Sequence, residues 1–530
     1  MKKTLILSLG FSLVLLGSFV FAYGQDSPSE EWVARYQGPG YSFDEAKAAA
    51  VDPSNGNLYV TGESNRNFTT LAYDHSGNLL WTAVYDGPNG GFDKANAIAV
   101  DPITGNVYVT GTSEGDYTTV AYDSGGNLLW AVRYDGPGNS TDVADAIAVD
   151  PGRGTIFVTG YSRDSRYDFA TVAYDRTGHE LWAARYNGPG NYHDEAYAIA
   201  VDPNSGNVYV TGYSWATSCD FTTVAYGSSG NQLWVVRHDG PNSDLDKAYA
   251  LAVNPVSGNI YVTGYSWGAS CDYATVAYDS GGTVIWTAEY DGPAHGTDGA
   301  KAVAVDPSSG NVYVTGYSRG TFNDFATIAY DASGGFLWAA RYDGPVGLHD
   351  AATAVVVDPA TGTVYVTGYS LGTTNDYATV AYSSSGSELW SARYDGPEGG
   401  YDVANALAVD SSTGGVYVTG KSGGNGTGSD YATVKYSSEQ DPIDMVLSLI
   451  AQVESYSGSG ILAPKNAAPL LFKLKGVRNK LNKEKINPAC NQLNAFINQV
   501  KSYIKTGKLS DEDGNSLIKK AKDVISSLSD

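Results

Sequence analysis

From residue 31 to residue 436 no apolar run keeps a helical period, because a glycine, proline, asparagine or aspartate interrupts each one within a few residues. What recurs instead is a set of four short segments rich in β-branched, aromatic or small residues, the composition of strands. Examples are ANAIAV at 95–100 (a), VYVT at 107–110 (b), YTTVAY at 117–122 (c) and LLWAVRY at 128–134 (d). Turn chemistry supplies the connections. Sequences such as DPNSGN at 202–207 join a to b, and sequences such as DSGGN at 123–127 join c to d, with Gly and Asn accepting the positive φ of tight hairpins. The predicted unit is a meander of four antiparallel strands.

The unit repeats. A VTG triplet places its glycine at Gly62, Gly111, Gly160, Gly212, Gly264, Gly316, Gly368 and Gly420, spaced 49, 49 and then 52 five times. Segment d occurs first alone, around Trp32, whereas the last unit ends at Tyr436 with a, b and c only. A ring in which the N-terminal strand completes the last sheet covers every edge, so the sequence predicts an all-β, eight-bladed β-propeller. Alanines alternate along segment a (Ala46, Ala48, Ala50), as a crowded hub requires. Trp32, Trp81, Trp130, Trp182, Trp234, Trp286, Trp338 and Trp390 occupy one equivalent outer position and are read as packing residues.

Loop lengths separate the two faces. Asp52 to Gly62, Tyr73 to Trp81 and Gly38 to Asp44 have the same spacing in every copy, but the b–c connection varies from five to ten residues. Binding residues concentrate on loops held by a rigid scaffold, so the face carrying the b–c and d–a loops is the candidate site. Trp215 and Trp267, the two tryptophans outside the packing set, stand there at equivalent positions, with Tyr213, Tyr265, Arg163, Arg166 and Arg319. Such side chains suit a sugar ring or a protein hot spot, and packing between blades is the other reading, the leading one for the tyrosines.

An aspartate precedes segment a in all eight copies: Asp44, Asp93, Asp142, Asp194, Asp246, Asp298, Asp350 and Asp402. Two readings are open: acceptors of backbone N–H groups that fix the d–a loop, or ligands of a hard cation, Ca²⁺ being the one candidate ion. No other cofactor is expected. Cys219 and Cys271 occupy equivalent loops of adjacent blades and form a disulfide only if those loops lean together. The six histidines show no HxH or HExxH spacing, and no vicinal cysteines are present.

Charge excludes one class of partner. Residues 23–436 hold 18 Lys+Arg against 47 Asp+Glu, a net of −29, which repels the phosphates of nucleic acid. Residues 437–530 hold 13 against 10, a net of +3. Residues 1–22 have the charged start, apolar core and small-residue end of a secretory signal, so a secreted, cell-surface or periplasmic protein without a membrane span is expected. The propeller is assigned to 23–436. Residues 437–530 change abruptly to Leu, Ile, Lys and Asn and predict a small bundle of helices at 441–454, 467–481, 488–504 and 510–528, with Cys490 buried.

The repeated pattern D-x-A-x-A-I-A-V-D-P-x-x-G-N-V-Y-V-T-G, running from Asp44 to Gly420, resembles the SBBP-type β-propeller repeat of exported bacterial and archaeal proteins. That resemblance implies an extracellular binding or surface module without assigned catalysis. The run from Asn487 to Ile504 resembles the FIMAH-type helical module of secreted bacterial proteins, which implies an accessory or attachment piece. Its lysines, Lys473, Lys475, Lys480, Lys483 and Lys485, are candidates for contact with an anionic cell envelope. The segment AYDSGGNLLW at 121–130 resembles the tryptophan-docking motif of quinoprotein propellers, one residue shorter and without its Thr-Gly pair. The leading expectation is a non-catalytic scaffold that recognises an extracellular polysaccharide or protein. The alternatives are an enzyme acting on polysaccharide, a quinone-dependent dehydrogenase, and a purely structural surface protein.

Overall fold

The computed structural model describes residues 28–528 apart from 40–42, 241–243, 398, 425–427, 438–441 and 484. The expected signal peptide therefore lies outside the described residues. Eight four-stranded antiparallel sheets form, each in the order a, b, c, d. Blades 1 to 7 are continuous in sequence, spanning 44–85, 93–134, 142–186, 194–238, 247–290, 299–342 and 350–394. Blade 8 is built from three strands within 403–437 and from Glu30–Tyr36, which pairs antiparallel with Gly428–Ser437, Trp32 facing Lys435 and Tyr36 facing Tyr431. The predicted ring, closed by the N-terminal strand, is what forms.

The core lies between blades. Tyr59, Phe68 and Ala72 of blade 1, for example, pack with Ala95, Ile98, Val107 and Val120 of blade 2. Outside this layer the equivalent tryptophans tie neighbours together: seven indole N–H groups donate across the boundary to a carbonyl of the next blade's c–d turn at 2.9–3.2 Å. Trp390, 3% exposed, packs between Tyr365 and Tyr436. The turn glycine beneath each indole has a dual requirement. Gly126 lies at φ +82°, and a Cβ there would sit 2.6 Å from the Trp81 ring. Between strands b and c, a buried threonine pair at 2.9–3.1 Å satisfies both hydroxyls in every blade.

Strand a breaks regular pairing once per blade, always at the same place. The register slips between Ala46 and Ala48, and equivalently through to Ala404 and Ala406, leaving one extra residue bulged. This bulge explains the VTG glycine: a Cβ at Gly62 would lie 2.1 Å from the Glu45 carbonyl oxygen, and one at Gly212 would lie 1.9 Å from that of Glu195.

Beyond the propeller four helices form, α1 (Pro442–Gly458), α2 (Pro464–Leu481), α3 (Ile486–Lys505) and α4 (Asp511–Ser527), around a core including Val446, Leu470, Leu474, Phe496 and Leu517. Ser510 Oγ accepts the Asp513 amide at 3.0 Å and donates to its carboxylate, fixing the start of α4. Cys490 is half-buried rather than buried. Of the lysines expected to face an envelope, Lys473 and Lys480 donate to Gln499 and Gln492 of α3, and Lys475 pairs with Glu454 at 3.8 Å. Among the described residues no helix is long and apolar enough to cross a membrane.

Candidate functional site

The bulges set the chemistry of the hub. The eight bulged positions carry Lys47, Asn96, Asp145, Tyr197, Tyr249, Lys301, Thr353 and Asn405, and those of blades 3 to 7 converge on one cavity of ≈590 Å³, together with Tyr317 and Tyr369. The two sides of the hub differ in how their charges are paired. Toward blades 8 and 1, Glu45 holds Lys47 at 2.7 Å and accepts from Asn405 at 3.1 Å, with Lys421 at 3.8 Å. Although burial opposes it, these partners keep the Glu45 carboxyl below its ordinary range.

Around the cavity the charges stand alone. Asp145 Oδ2 is buried with no hydrogen-bond partner, and burial, then repulsion from Glu195, pushes its carboxyl up to about 7 against the pull of Lys94. Lys301 makes no ion pair among the described residues. Its Nζ lies 4.2 Å from the Tyr249 ring centroid and 5.8 Å from that of Tyr317, and burial lowers its pKa. Tyr197 donates to Glu195 at 2.6 Å and packs on Tyr249.

Beside the hub, on the face of the b–c loops, lies a cleft of ≈750 Å³. Trp215, Tyr213, Tyr167 and Tyr192 form its aromatic lining, and His193, Glu195 and Lys247 supply polar groups. Lys247 Nζ sits 4.0 Å over Tyr213, and the Arg163 and Arg166 guanidinium groups lie over Tyr167 and Tyr192 at 5.6 and 5.8 Å. Tyr192 is 54% exposed, whereas His193 Nδ1 is buried without a partner. The structure thus brings Trp215 and Tyr213 together in this cleft, with Arg163 and Arg166 at its rim. Trp267, Tyr265 and Arg319 do not line it. Trp267 is 42% exposed one blade further on, Tyr265 packs on Tyr249, and the stem of Arg319 covers Gly296.

The eight ring aspartates are fully buried, and their carboxylates are engaged by the backbone. Each accepts the amide of the glycine six residues earlier at 2.5–2.7 Å. In blades 3 to 8 the other oxygen accepts the amide of Arg163, Trp215, Trp267, Arg319, Leu371 or Gly423 at 2.6–3.0 Å. The ring therefore positions the loop residues that carry Trp215 and its equivalents. Five of these aspartates also lie within 4.8 Å of two further carboxylates, as in Asp324, Asp343 and Asp350, an oxygen-rich arrangement compatible with a hard cation.

The disulfide entertained from the sequence is not made. Cys219 and Cys271 are free thiols. Cys219 is fixed through its backbone to Asp244 and Asp246 of the d–a loop that leads into blade 5, with its Sγ 3.6 Å from the Asp246 carbonyl. Burial pushes the two thiols up to about 12 and about 11. The hub residues escaped sequence reasoning. They occupy the second variable position of D-x-A-x-A, where Lys, Asn, Asp, Tyr and Thr replace one another between invariant alanines, and that contrast was the available signal.

The fold and this hub define an eight-bladed β-propeller with a loop face that carries an aromatic cleft. The chain belongs to the family described as outer membrane protein assembly factor BamB, which matches residues 20–211 and again 115–367. No curated protein matches the sequence. Among solved structures it is similar to the Dos1 propeller, at 12% identity and a TM-score of 0.51 over 76% of this chain and 95% of that one. It is also similar to the periplasmic gluconolactonase of Pseudomonas aeruginosa, at 14% identity and a TM-score of 0.41 over 68% and 98% of the chains. A putative 6-phosphogluconolactonase from Bacteroides uniformis matches at 13% identity and a TM-score of 0.41 over 67% and 99%. These likenesses are of fold alone.

Proposed function

We propose that this propeller is a non-catalytic, exported binding scaffold that recognises an extracellular polysaccharide through its b–c/d–a face. The observation that carries the reading is the cleft at Trp215, where exposed Tyr192 and half-buried Trp215 and Tyr167 stand beside a carboxylate, an ammonium and an imidazole. Aromatic faces stack on the apolar faces of sugar rings, and a few placed polar groups fix orientation. Membership of a family named for an assembly factor supports a scaffold. The resemblances to SBBP repeats and to the FIMAH-type module, an envelope contact through the helices, and Ca²⁺ at the acidic triplets belong to the same proposal.

The test is calorimetric titration of a panel of exported polysaccharides and peptidoglycan fragments, with and without chelator, against wild type and Trp215→Ala. Saturable binding that weakens about tenfold in the variant, near 1.4 kcal/mol, with an unchanged melting temperature, is expected. Equal affinity in both proteins rejects the cleft. A second reading, a propeller enzyme acting on polysaccharide, draws on Asp145, whose carboxyl at about 7 suits proton transfer near neutral pH. Release of product from the same panel, abolished by Asp145→Asn, would favour it.

A further inference from the structure

Six blades carry an arginine near the end of strand d: Arg35, Arg133, Arg185, Arg237, Arg341 and Arg393. Two of its contacts are the same each time. Nη2 donates to the carboxylate of the aspartate at the start of strand c at 2.5–2.9 Å. It also donates to the carbonyl of the serine near the end of strand b at 2.9–3.4 Å. In five blades Nη1 reaches that serine's Oγ, and in blade 2 it turns to Glu114 instead. In the same five blades a tyrosine of the preceding blade completes the set, as Tyr394 does for Arg35 at 3.1 Å. The chain thus contains its own template for holding a planar, forked cation.

Two blades depart from it, in opposite ways. Blade 1 has Val84 in place of the arginine and Asn67 in place of the aspartate, so both charges are dropped together. Blade 5 keeps the acceptors, Ser266 facing Asp272 across strands b and c, but places Glu289 in the arginine register opposite Ala274. Ser266 is 3% exposed and its Oγ, which in five sister blades receives the guanidinium, has no hydrogen-bond partner. Glu289 is exposed and makes no hydrogen bond or ion pair among the described residues. The preceding blade offers His238 where the template has tyrosine. Asp291 and Asp298 stand within 4.8 Å of Asp272, and the His295 ring, 80% exposed, is bonded to Asp291. Burial, helped by Asp291, Asp298 and Glu289, holds the Asp272 carboxyl above its ordinary range against the Ser270 hydroxyl, which donates to Oδ1 at 2.8 Å.

We propose that blade 5 is an arginine site on the loop face, in which Ser266, Asp272 and Glu289 receive the guanidinium of an arginine side chain from a partner protein. A retained hydroxyl, carbonyl and carboxylate set for three N–H donors match a guanidinium more closely than Ca²⁺, which takes six to eight oxygens at about 2.3–2.6 Å. The net charge of −29 over residues 23–436 favours approach of a basic segment. Glu289 adds a second carboxylate at the mouth. The inference is independent of the polysaccharide cleft.

The test is ligand-observed saturation-transfer NMR on the full chain with N-acetyl-arginine methylamide and its lysine counterpart as probes. Wild type should saturate the arginine δ-methylene protons with millimolar affinity and bind the lysine probe several-fold more weakly. Glu289→Arg, which restores the residue of six sister blades, should abolish the signal and raise the melting temperature. Should that variant fail to fold, Ser266→Ala serves instead, with an expected several-fold loss of arginine affinity at unchanged stability. Trp215→Ala should leave the arginine signal intact. Equal arginine signals in wild type and Glu289→Arg, or equal binding of both probes, would overturn the proposal. So would a Ca²⁺-dependent rise in melting temperature that Glu289→Arg removes, which would make the corner a hard-cation site.

Discussion

Asp145 shows how one residue couples the hub to pH. Its carboxyl rises from an ordinary 3.8 to about 7, through burial first and Glu195 second. A folded-state pKa above the unfolded one gives stability that is complete below about pH 4 and is lost as pH climbs through about 7. At about 1.4 kcal/mol per unit the loss is at most about 4 kcal/mol. Wild type should therefore melt several degrees lower at pH 8 than at pH 5 from this source, and Asp145→Asn should flatten that part of the profile. Parallel profiles for the two proteins in differential scanning calorimetry would place the titration elsewhere. The residue was legible only as a variable position: its type stands in the sequence, but its lack of a partner depends on which bulged neighbours share its cavity.

At the scale of the element, the bulge in strand a links a fold-forming glycine to the candidate site. Without the bulge Tyr197, Asp145 and Lys301 would follow the ordinary pleat, and the VTG glycine is what lets the bulged backbone come close. Gly212→Ala should cost about 2–3 kcal/mol by overpacking, because the new methyl meets the Glu195 carbonyl, and it should also disturb the Glu195–Tyr197 contact and weaken ligand binding. Gly115→Ala provides the contrast. That residue has φ +94° and nothing within 4 Å of an added Cβ, so only the left-handed strain of about 1–2 kcal/mol applies, with binding unchanged. Urea melts paired with titrations separate the two, and equal effects on binding would refute the role given to the bulge. The four strands and their turns were readable from Gly, Asn and β-branched spacing. The bulge was not, since a register slip leaves the alternation of alanines intact and shows only in the pairing with strand b.

At the scale of the molecule, closure of the ring rests on a strand contributed from the far end of the chain. The order of the segments, d first and alone and missing at the end, made this legible before any coordinates, because topology follows from counting strands whereas cavities follow from side-chain placement. Glu30–Tyr36 covers the outer edge of Gly428–Ser437, and Arg35 reaches Ser422, Asp430 and Tyr394. On the other side Trp32 donates to His75 and covers Gly77 of blade 1. One strand thus joins three blades. A chain beginning at residue 38 should lose both the indole contact and the guanidinium network and should expose a strand edge ten residues long, a template for self-association. Its melting temperature should fall by at least several degrees, at about 2–4 °C per kcal/mol for a domain of 150–250 residues and less for a longer one, and its size-exclusion profile should shift with concentration. Moving residues 28–37 to follow Ser437 through a short linker should restore both properties, since the strand would reach the same edge from the other terminus. A truncated chain as stable and as monodisperse as wild type would mean that seven complete blades hold the ring without the strand that closes it.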